Sequence, residues 1–510
     1  MNSLSTDSMM NRGWPLSKSS PTVARMRPVN YTPRSRMHNV LEDGMRQSPI
    51  TKGKLVLDTW RLKRADAATI ASRQRQRLQS HLAFVRRQSR FYKQRYADIP
   101  QGTTDLQRFP PVTKAMLMEH FDDVVTDTAI TRAEIDAFVA DETKIGERFL
   151  GKYPVWTTSG TTGEPGMFVQ DETAWTVSDV VGDRWIVPAM VGVSPLSRLF
   201  TQNLRIALVA VSGGHFAGAA GLEMMRRESV YGERRLRLFS PTSPIADLVS
   251  DLNQYQPAIL EGYSTVLVEL ARAQQAGRLD ISPALVLPTA EPISETQKRM
   301  LRDTFDCVVR ELYGATEFVP IAVECAHGSL HVNTDWVVVE PVDEDYQPVE
   351  PGTPSDTVLI TSLSNRVQPL VRYDLGDSIT LYEERCPCGS AFPIMEVGGR
   401  QGDVLQFETD EGEEVPIFPL ALSSVVEEVP GVHRTQIIRT APTTLQVRFD
   451  VTPGATEEDV WKHIEQELQS FLRTHGISRM TVEAASEPPR RDSRSGKFRH
   501  VWSELEDQST

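Results

Sequence analysis

The sequence predicts an α/β protein. It consists of a large N-terminal domain, with parallel-rich sheets, packed helices and an antiparallel subdomain, and a small mobile α+β C-terminal domain. Strand-like apolar runs alternate with helical ones between residues 155 and 400, which is typical of parallel sheets with helices on their faces. Residues 330–382 favour antiparallel strands instead. After residue 400 the pattern changes to a few strands and one amphipathic helix.

These changes divide the 510 residues into three parts. Residues 1–50 are predicted to be a disordered basic tail, 51–400 the large domain, and 401–510 the small mobile domain, with a hinge near Asp403. Residues 1–54 carry nine Lys or Arg against three acids and lack periodicity, which is typical of disorder. An Arg- and Ser-rich start with few acids also fits an organelle transit peptide, which is the alternative.

The individual elements follow from apolar spacing and helix caps. Residues 56–98 are predicted to be helical, followed by a helix capped by Thr113 and another from Thr131 to Ala140. Predicted strands are "RIALVAV", "AILEGY", "ALVLPTAE" and "CVVRELYG". Predicted helices between them are "SPIADLVSDLNQYQP", "STVLVELARAQQAG" and "SETQKRMLRDTF". The C-terminal domain is predicted to hold the strands "TQIIRT" and "TLQVRFDV" and the helix "EEDVWKHIEQELQSFLRTHG".

Composition argues against several kinds of partner. The net charge of −13 argues against tight non-specific nucleic-acid binding. No apolar run approaches the roughly 20 residues that a bilayer span needs, so no membrane partner is expected. The four cysteines do not form a disulfide framework, which favours a reducing, cytoplasmic setting.

The stretch "VWTTSGTTGEPG" at 155–166 is a candidate phosphate-binding loop. Glycines allow close backbone approach to an anion, and successive N–H and hydroxyl groups can surround phosphate oxygens. It lacks the Gly-Lys-Ser/Thr of a Walker loop, and an ordinary surface turn is the alternative. The candidate phosphate ligands are Thr158, Ser159, Gly160, Thr161, Thr162 and Gly163.

Five further motifs follow this loop in order. "PTAEPIS" and "ELYGATE" each end a predicted strand, and "YDLGD" places Asp377 in a turn. "GGRQGD" supplies Arg400, and "SRSGKFRH" places Lys497 on a polar loop. An aromatic ring can stack on a base, and a carboxylate can accept both hydroxyls of a ribose. The candidates in the first two motifs are Ala290, Glu291, Tyr313, Gly314, Thr316 and Glu317.

This ordered set resembles the adenylate-forming superfamily of acyl-CoA synthetases, adenylation domains and luciferases. The upstream "SRFYKQRY" and "FPPVTKAMLMEHFDD" resemble the phenylacetate–CoA ligase branch, and the resemblance runs from about residue 60 to 505. It implies an AMP-forming ligase that activates a small-molecule carboxylic acid with ATP, releases pyrophosphate and transfers the acyl group to coenzyme A. A non-catalytic nucleotide-binding protein is the alternative of a different class, and the branch also favours a homodimer.

The resemblance implies a role for each motif. The Ser/Thr/Gly loop would hold the outer phosphates, and Glu317 would help to hold Mg²⁺. Tyr313 would pack against adenine beside the backbone of Ala290 and Glu291, and Asp377 would bind the ribose. Lys497 would approach the reacting oxygens as a movable cation. Lys497, Glu317 and Arg400 are the predicted catalytic residues, and the small domain would rotate about Asp403.

Two positions depart from the family pattern. Glu164 stands where the loop usually has a lysine, which removes a cation near the pyrophosphate. The stretch "QFETDEGEEVPIFP" after the hinge is acidic where coenzyme A ligases of this branch usually have a basic, Gly-rich turn. An amine, another nitrogen nucleophile or a carrier-protein thiol is therefore the alternative acceptor.

Three of the four cysteines belong to a candidate structural zinc site. "ECAHGSLHV" is predicted to be a hairpin in which Cys325 and His331 pair across strands and point to one face. "RCPCGS" adds Cys386 and Cys388, which completes a Cys₃His set. His327 is the alternative ligand, and free thiols beside a surface hairpin are the alternative to zinc. Cys307, in an apolar run, is predicted to be a core residue.

The acyl pocket is the least specified part of the prediction. His215 and Phe216 follow two glycines after a strand, where this superfamily usually places its acyl pocket, and Tyr263 is a further wall candidate. The aromatic residues favour an aromatic or apolar acid. A solvent-exposed loop histidine is the alternative for His215.

Overall fold

The computed structural model describes residues 52–158, 166–190, 196–398, 405–452, 454–490 and 500–505. The predicted tail lies outside these ranges, and so do several predicted site residues. These are Ser159, Gly160, Thr161, Thr162, Gly163, Glu164, Arg400, Asp403 and Lys497. Among the described residues, no helix is long and apolar enough to cross a bilayer.

Fifteen α-helices occur in the described ranges. They are α1 (Lys52–Leu62), α2 (Ala67–Gln88), α3 (Arg90–Arg95), α4 (Lys114–Glu119), α5 (Phe121–Val124), α6 (Arg132–Val139), α7 (Glu172–Met190), α8 (Leu196–Thr201), α9 (Ala217–Glu228), α10 (Gly232–Arg235), α11 (Ile245–Tyr255), α12 (Ser264–Gln275), α13 (Glu295–Phe305), α14 (Pro419–Glu427) and α15 (Glu457–Thr474).

Twenty-one strands occur in the same ranges. They are β1 (Val155–Thr157), β2 (Met167–Val169), β3 (Ile206–Val209), β4 (Leu236–Phe239), β5 (Ile259–Tyr263), β6 (Leu285–Thr289), β7 (Val308–Val309), β8 (Leu312–Ala315), β9 (Phe318–Glu324), β10 (Leu330–Val332), β11 (Val337–Val342), β12 (Thr357–Ser362), β13 (Tyr373–Asp374), β14 (Ser378–Tyr382), β15 (Ile394–Gly398), β16 (Leu405–Glu408), β17 (Glu414–Ile417), β18 (Val432–Ala441), β19 (Thr444–Val451), β20 (Thr481–Ala484) and β21 (Val501–Ser503).

A mixed sheet of ten strands forms the centre of the fold. Its order is β14-β15-β10-β9-β8-β6-β5-β3-β4, with β7 paired to β6. The strands from β3 to β7 pair in parallel, whereas β9, β10, β14 and β15 pair antiparallel. The predicted parallel-rich sheet with helices between its strands is therefore confirmed.

Antiparallel pairing also dominates the region predicted to be antiparallel. Strands β11, β12 and β13 form a separate three-stranded sheet whose neighbours all run antiparallel. Strands β1 and β2 form a hairpin whose connection is the candidate phosphate loop. The hairpin itself lies next to strand β13, because Phe168 packs edge-on against Tyr373 at a ring separation of 6.0 Å.

The C-terminal segment has an α+β arrangement, as predicted. Strands β20, β19, β18 and β21 form a four-stranded sheet, and β16 and β17 form a hairpin. Helix α15 buries Ile464 and Leu468 in the same apolar cluster as Ile437 of β18. That cluster also contains Leu260 of the central sheet, and the chain from Thr51 onward forms one compact unit. The proposed domain boundary and its mobility remain predictions.

Side-chain caps explain where several helices begin. Thr113 caps α4 and Thr131 caps α6, each accepting a hydrogen bond from a backbone N–H of the first turn. Ser294 and Gln297 form a reciprocal capping box at the start of α13. The helical stretch predicted for 56–98 is three helices, because Asp66 and Ser89 each cap a new start.

A buried ionic network connects helices α2 and α7 to the turn before β11. Arg184 and Asp335 form an ion pair of 2.9 Å, and both side chains are fully buried. Arg184 also donates to Asn333 Oδ1 at 2.6 Å, and Arg77 of α2 donates to the backbone oxygen of Asp335 at 2.7 Å. Removing one member leaves a buried charge without its partner, which is costly.

We expect Asp335→Ala to lower the free energy of unfolding by about 3 kcal/mol, because Arg184 and Arg77 lose their shared carboxylate. Urea unfolding followed by tryptophan fluorescence measures this change. Asp123→Ala is the matched control, since Asp123 pairs with Arg90 at the surface and exposed pairs contribute little. Equal unfolding midpoints for the two variants would contradict the importance of the network.

Candidate active site

Two predicted motifs meet at the carboxyl edge of the central sheet. Strand β6 pairs in parallel with β8 through Thr289 and Leu312, so Ala290 and Tyr313 follow on adjacent strands. Ala290 has φ of 65°, a left-handed conformation that is uncommon for a residue with a Cβ. Such backbone strain is concentrated at functional sites, and ligands of α/β sheets bind at the carboxyl ends of strands.

The Glu291 side chain is engaged inside the fold. Its Oε2 accepts hydrogen bonds from the backbone N–H of Thr265 at 2.8 Å and from the Thr265 hydroxyl at 2.7 Å. The hydroxyl of Ser264 donates to the Glu291 carbonyl at 2.8 Å. Burial raises the pKa of the Glu291 carboxyl. These bonds attach the "AEP" turn to the start of α12. The Glu291 side chain is used by them, so only the backbone of Glu291 is predicted to contact a nucleotide.

A hydrogen bond joins the "YGATE" and "YDLGD" motifs. The Tyr313 hydroxyl donates to Asp377 Oδ2 at 3.0 Å. The other aspartate of the turn, Asp374, accepts bonds from Tyr346 and Thr357 at 2.8 and 2.5 Å and thereby holds the turn closed. Asp374 therefore stabilises the turn, whereas Asp377 lies beside Tyr313; their predicted roles in nucleotide binding remain predictions.

Glu317 is a buried carboxyl held in place by a tyrosine. It lies between strands β8 and β9, is only 8% exposed and follows the partly exposed Thr316. The Tyr373 hydroxyl donates to its Oε1 at 2.8 Å. Burial raises the pKa of Glu317, whereas the Tyr373 hydrogen bond and the charge of Lys114 act in the opposite direction. The adjacent strand lies close to Gly314, since a Cβ there would lie 3.3 Å from Val319 Cα and would require a small shift of Val319.

Lys114 is a site residue that the sequence reasoning missed. It begins helix α4, and the preceding Val112 is bonded in both directions to the strand that carries Tyr373. A Cβ placed on Gly166 would lie 3.1 Å from Lys114 Cδ. Lys114 therefore lies beside the base of the Ser/Thr/Gly loop and near Glu317. Its sequence signals were its position directly after the Thr113 cap and its place within the stretch "FPPVTKAMLMEHFDD", which carries the branch resemblance.

The base of the loop is closed by a reciprocal pair of hydrogen bonds. The backbone N–H of Thr158 donates to the Gly166 carbonyl at 2.9 Å, and the N–H of Gly166 donates to Thr158 Oγ1 at 2.8 Å. Thr157 N–H donates to the carbonyl of His215 at 2.8 Å. The loop therefore emerges from a hairpin that is tied to the His215 segment.

A cavity of about 240 Å³ lies beside this hairpin. The described residues that line it include Thr157, Thr158, His215 and Phe216, together with Glu427 of α14 and the following Glu428. His215 is 1% exposed and packs against Phe138 at a ring separation of 5.1 Å. Burial lowers its pKa. The solvent-exposed alternative for His215 is thus wrong.

Tyr263 has a different position from His215 and Phe216. It is not among the described residues that line this cavity. Its hydroxyl accepts a hydrogen bond from the backbone N–H of Val211 at 3.2 Å, at the start of the loop that leads to His215. Tyr263 packs with Leu208 and Leu222 in an adjacent apolar cluster.

The four predicted zinc ligands converge. One ligand atom from each of Cys325, His331, Cys386 and Cys388 lies within 4.8 Å of the others. The predicted register was wrong: His331 pairs with Val323, and the Cys325 N–H donates to the Ser329 carbonyl. The two residues still share one face, because the shift is two residues and side chains alternate along a strand.

The donor geometry fits a tetrahedral metal ion. Cys325 Sγ lies 3.6 Å from Cys386 Sγ, and Cys388 Sγ lies 3.3 Å from His331 Nε2. Zinc bond lengths give tetrahedral edges of about 3.8 Å between sulfurs and about 3.6 Å between sulfur and nitrogen. His331 Nδ1 is bonded to the Phe392 carbonyl at 2.8 Å, which leaves Nε2 facing the thiols.

The surroundings of the cluster also suit thiolates. Backbone N–H groups of His327, Cys388 and Ser390 point at the sulfurs of Cys325, Cys386 and Cys388, at 3.3, 3.5 and 3.5 Å respectively. His327 contributes its backbone rather than its ring, so the alternative ligand is not favoured. All four cysteines lie in the described ranges and are free of disulfides, and Cys307 is partly buried against the core.

Two curated relatives support the resemblance stated above. Protein CapK of Staphylococcus aureus is 26% identical over 233 residues, which is 44% of this chain and 49% of CapK. The chain thus matches about half the length of CapK. Phenylacetate-coenzyme A ligase of Thermus thermophilus is 24% identical over 417 residues, which is 78% of this chain and 84% of that enzyme. The predicted resemblance to the phenylacetate–CoA ligase branch is confirmed. No family model matches the chain.

Solved structures agree at the level of the fold. 2-Hydroxyisobutyryl-CoA ligase in its postadenylation state with 2-HIB-AMP has a TM-score of 0.52 and 20% identity over 88% of this chain and 92% of that one. The same enzyme with 2-HIB-AMP and CoA in the thioesterification state has a TM-score of 0.51 and 19% identity over 87% and 91%. The chain has the fold of this ligase.

Proposed function

We propose that the protein is an AMP-forming ligase that activates a carboxylic acid as its acyl adenylate and transfers the acyl group to coenzyme A. The observation that carries this proposal is the juxtaposition of Tyr313 with Asp377, and of Glu317 with Tyr373, at the sheet edge beside the Thr158–Gly166 loop base. The relatedness to phenylacetate-coenzyme A ligase supports the same activity.

The main candidates at the nucleotide site receive the following roles in this proposal. The loop from Thr158 to Gly163 binds the outer phosphates of ATP, with Lys114 as a cation at its base. Tyr313 packs on adenine next to the Ala290 and Glu291 backbone. Asp377 binds the ribose. Arg400 and Lys497 act on the reacting groups, and rotation about Asp403 exchanges the two half-reactions.

Glu317 is the carboxyl best suited to hold Mg²⁺. It is buried, fixed by Tyr373 and close enough to Asp377 for that charge to raise the pKa of Glu317 further. Mg²⁺ is usually held by one or two carboxylates together with substrate phosphates. When bound, the ion would supply positive charge to the phosphates, while the chain itself fixes their position.

The two proposed half-reactions balance as follows. A carboxylate oxygen attacks the α-phosphorus, and the bond to the pyrophosphate oxygen breaks. The coenzyme A thiol, losing its proton, then attacks the acyl carbon, and the bond from that carbon to the AMP oxygen breaks. Both steps depend on positioning and on charge stabilisation, which groups fixed before reaction supply most effectively.

An amine acceptor is the second candidate, and the acidic cavity favours it. Glu427 and Glu428 line the same cavity as Thr158 and His215. Burial and the charges of Glu142 and Glu467 raise the pKa of Glu428. Carboxylates attract an ammonium group and repel the phosphates of coenzyme A. The acidic stretch at 409–414 adds to this preference.

Pyrophosphate release across a panel of acids tests the proposal. We expect release that depends on both ATP and the acid, with turnover that increases when coenzyme A is added. Release that increases with amines but not with coenzyme A would favour the second candidate. If no acid elicits release while ATP still binds, a non-catalytic nucleotide-binding role would replace both.

We expect Lys114→Met to raise the KM for ATP about tenfold, which corresponds to about 1.4 kcal/mol, because a cation at the loop base is lost. Methionine is a good helix former, so helix α4 should persist. Steady-state kinetics with varied ATP measures the effect. Lys152→Met, at an exposed turn, is the control, and matching KM values for both variants would exclude Lys114 from phosphate binding.

We further propose that Cys325, His331, Cys386 and Cys388 hold a structural zinc ion, because their donors fit a tetrahedron and all four positions are protein ligands. Purified protein is expected to contain about one equivalent of zinc. Cys388→Ser should lower both the zinc content and the melting temperature, since bound metal stabilises the folded state.

Cys307→Ser is the matched control for the zinc prediction, because Cys307 packs elsewhere against the core. Metal content is measured by atomic emission spectrometry and melting by calorimetry. Zinc retained in full by Cys388→Ser, or wild-type protein purified from zinc-supplemented medium without any zinc, would contradict the assignment.

A further inference from the structure

Glu261 is a carboxyl in the middle of an apolar surface of the central sheet. It lies on β5, with Leu208 of β3 and Leu287 of β6 directly opposite it in register. Ile259 and Tyr263 occupy the neighbouring positions on the same face of the strand, because side chains alternate. Every close neighbour that the sheet supplies is therefore apolar or aromatic.

The carboxyl also marks a junction between two apolar clusters. Ile259 and Leu287 pack in the cluster that contains Ile186 of α7 and Leu199 of α8. Leu208 and Tyr263 pack in the cluster that contains Leu222 of α9. Glu261 thus lies where the helices covering this face divide into two groups, and its side chain is only partly buried.

Nothing else among the described residues accounts for a charged group at this position. Within the described ranges, the Glu261 side chain makes no hydrogen bond or ion pair. Burial raises its pKa to about 7, and no neighbouring charge contributes to that shift. Because the side chain is only partly buried, solvent can reach the carboxylate, and a cationic group of a ligand that reached it would find a partner of opposite charge.

Glu261 lies on the side of the central sheet that leads to His215 and Phe216, the predicted acyl-pocket residues. Tyr263 is two residues further toward the carboxyl edge, about 7 Å along the strand, and its hydroxyl is bonded to Val211 N–H. The loop from Val211 leads directly to His215 and Phe216, which line the cavity. Glu261 therefore lies below the His215 loop, deeper in the sheet than Tyr263.

We propose that Glu261 selects an acid that carries a cationic amino group at the end remote from its carboxylate. The ammonium group would pair with the Glu261 carboxylate while the acid's own carboxylate reaches the ATP site at the sheet edge. This inference rests on the proposed ligase function and replaces the purely aromatic or apolar acid with an amine-bearing one.

Matched pairs of acids test the proposal with two readouts. The pairs are 4-(aminomethyl)benzoate with 4-ethylbenzoate, and 6-aminohexanoate with heptanoate, with the corresponding hydroxyl acids as a third member. Pyrophosphate release measures turnover, and the melting temperature measures binding without chemistry. Wild type should favour an amine-bearing acid at least tenfold in kcat/KM, and only that acid should raise the melting temperature.

Glu261→Leu and Glu261→Gln separate charge from packing. Glu261→Leu should abolish the preference and favour the apolar member, and Glu261→Gln should lose the preference for the amine while keeping the shape of the site. Glu344→Leu, which removes an exposed carboxyl on a turn, should behave as wild type. The protein without ligand should melt no lower in Glu261→Leu than in wild type, because no internal partner is lost.

The experiment distinguishes failure of the proposed ligase function from failure of the proposed role of Glu261. If no acid elicits pyrophosphate release but the amine-bearing acid raises the melting temperature through Glu261, the ligase function fails and the binding role stands. If all members of a set change the melting temperature equally, or if none of them changes it, the proposed role of Glu261 is overturned. Preference for the hydroxyl or apolar member in wild type overturns it as well.

Discussion

The parallel pairing of β6 with β8 is the contact on which the candidate site depends. It fixes Thr289 opposite Leu312, so the "AEP" turn and the "YGATE" segment leave the sheet side by side. Strand β13 then contributes Tyr373 to Glu317, and the turn after it contributes Asp377 to Tyr313. If β8 slipped by one residue, Tyr313 would exchange faces with its neighbours and both hydrogen bonds would be lost.

Charge is distributed unevenly around this edge. Glu317 and Asp377 lie together, and burial disfavours the ionised form of Glu317. Lys114 is the described cation beside the loop base, where the sequence has Glu164 in place of a lysine. Glu427 of α14 and the following Glu428 are further acidic residues that line the nearby cavity. Such a concentration of carboxylates attracts cations, so under the proposed function ATP would enter together with its own metal ion.

The features that could be predicted from the sequence are those that depend on the spacing of residues close in the chain. The helix cap at Thr113 was recognisable because a cap and the first turn of its helix are close in the chain. The parallel-rich sheet followed from the alternation of strand-like and helical runs, and the expectation that the motifs form one site followed from the family resemblance. The convergence of three cysteines with His331 followed from hairpin alternation, although the register itself was wrong by two residues.

Residues that act through long-range contacts could not be predicted. Lys114 lies in a stretch that carries the branch resemblance but was given no role, because its proximity to Gly166 depends on the pairing of Val112 with the Tyr373 strand. The Arg184–Asp335 pair joins residues 151 positions apart. Glu261 lies inside an ordinary strand pattern, and its isolation among leucines became evident only from the register of β3, β5 and β6.

The transfer of oxygen from the acid to AMP tests the central claim most directly. The acid is supplied with ¹⁸O in its carboxylate, together with ATP and coenzyme A, and the AMP and phosphate products are analysed by mass spectrometry. An acyl adenylate requires one labelled oxygen in each AMP formed, because the carboxylate oxygen attacks the α-phosphorus and leaves with AMP. Label in inorganic phosphate, with ADP as the nucleotide product, would contradict the account.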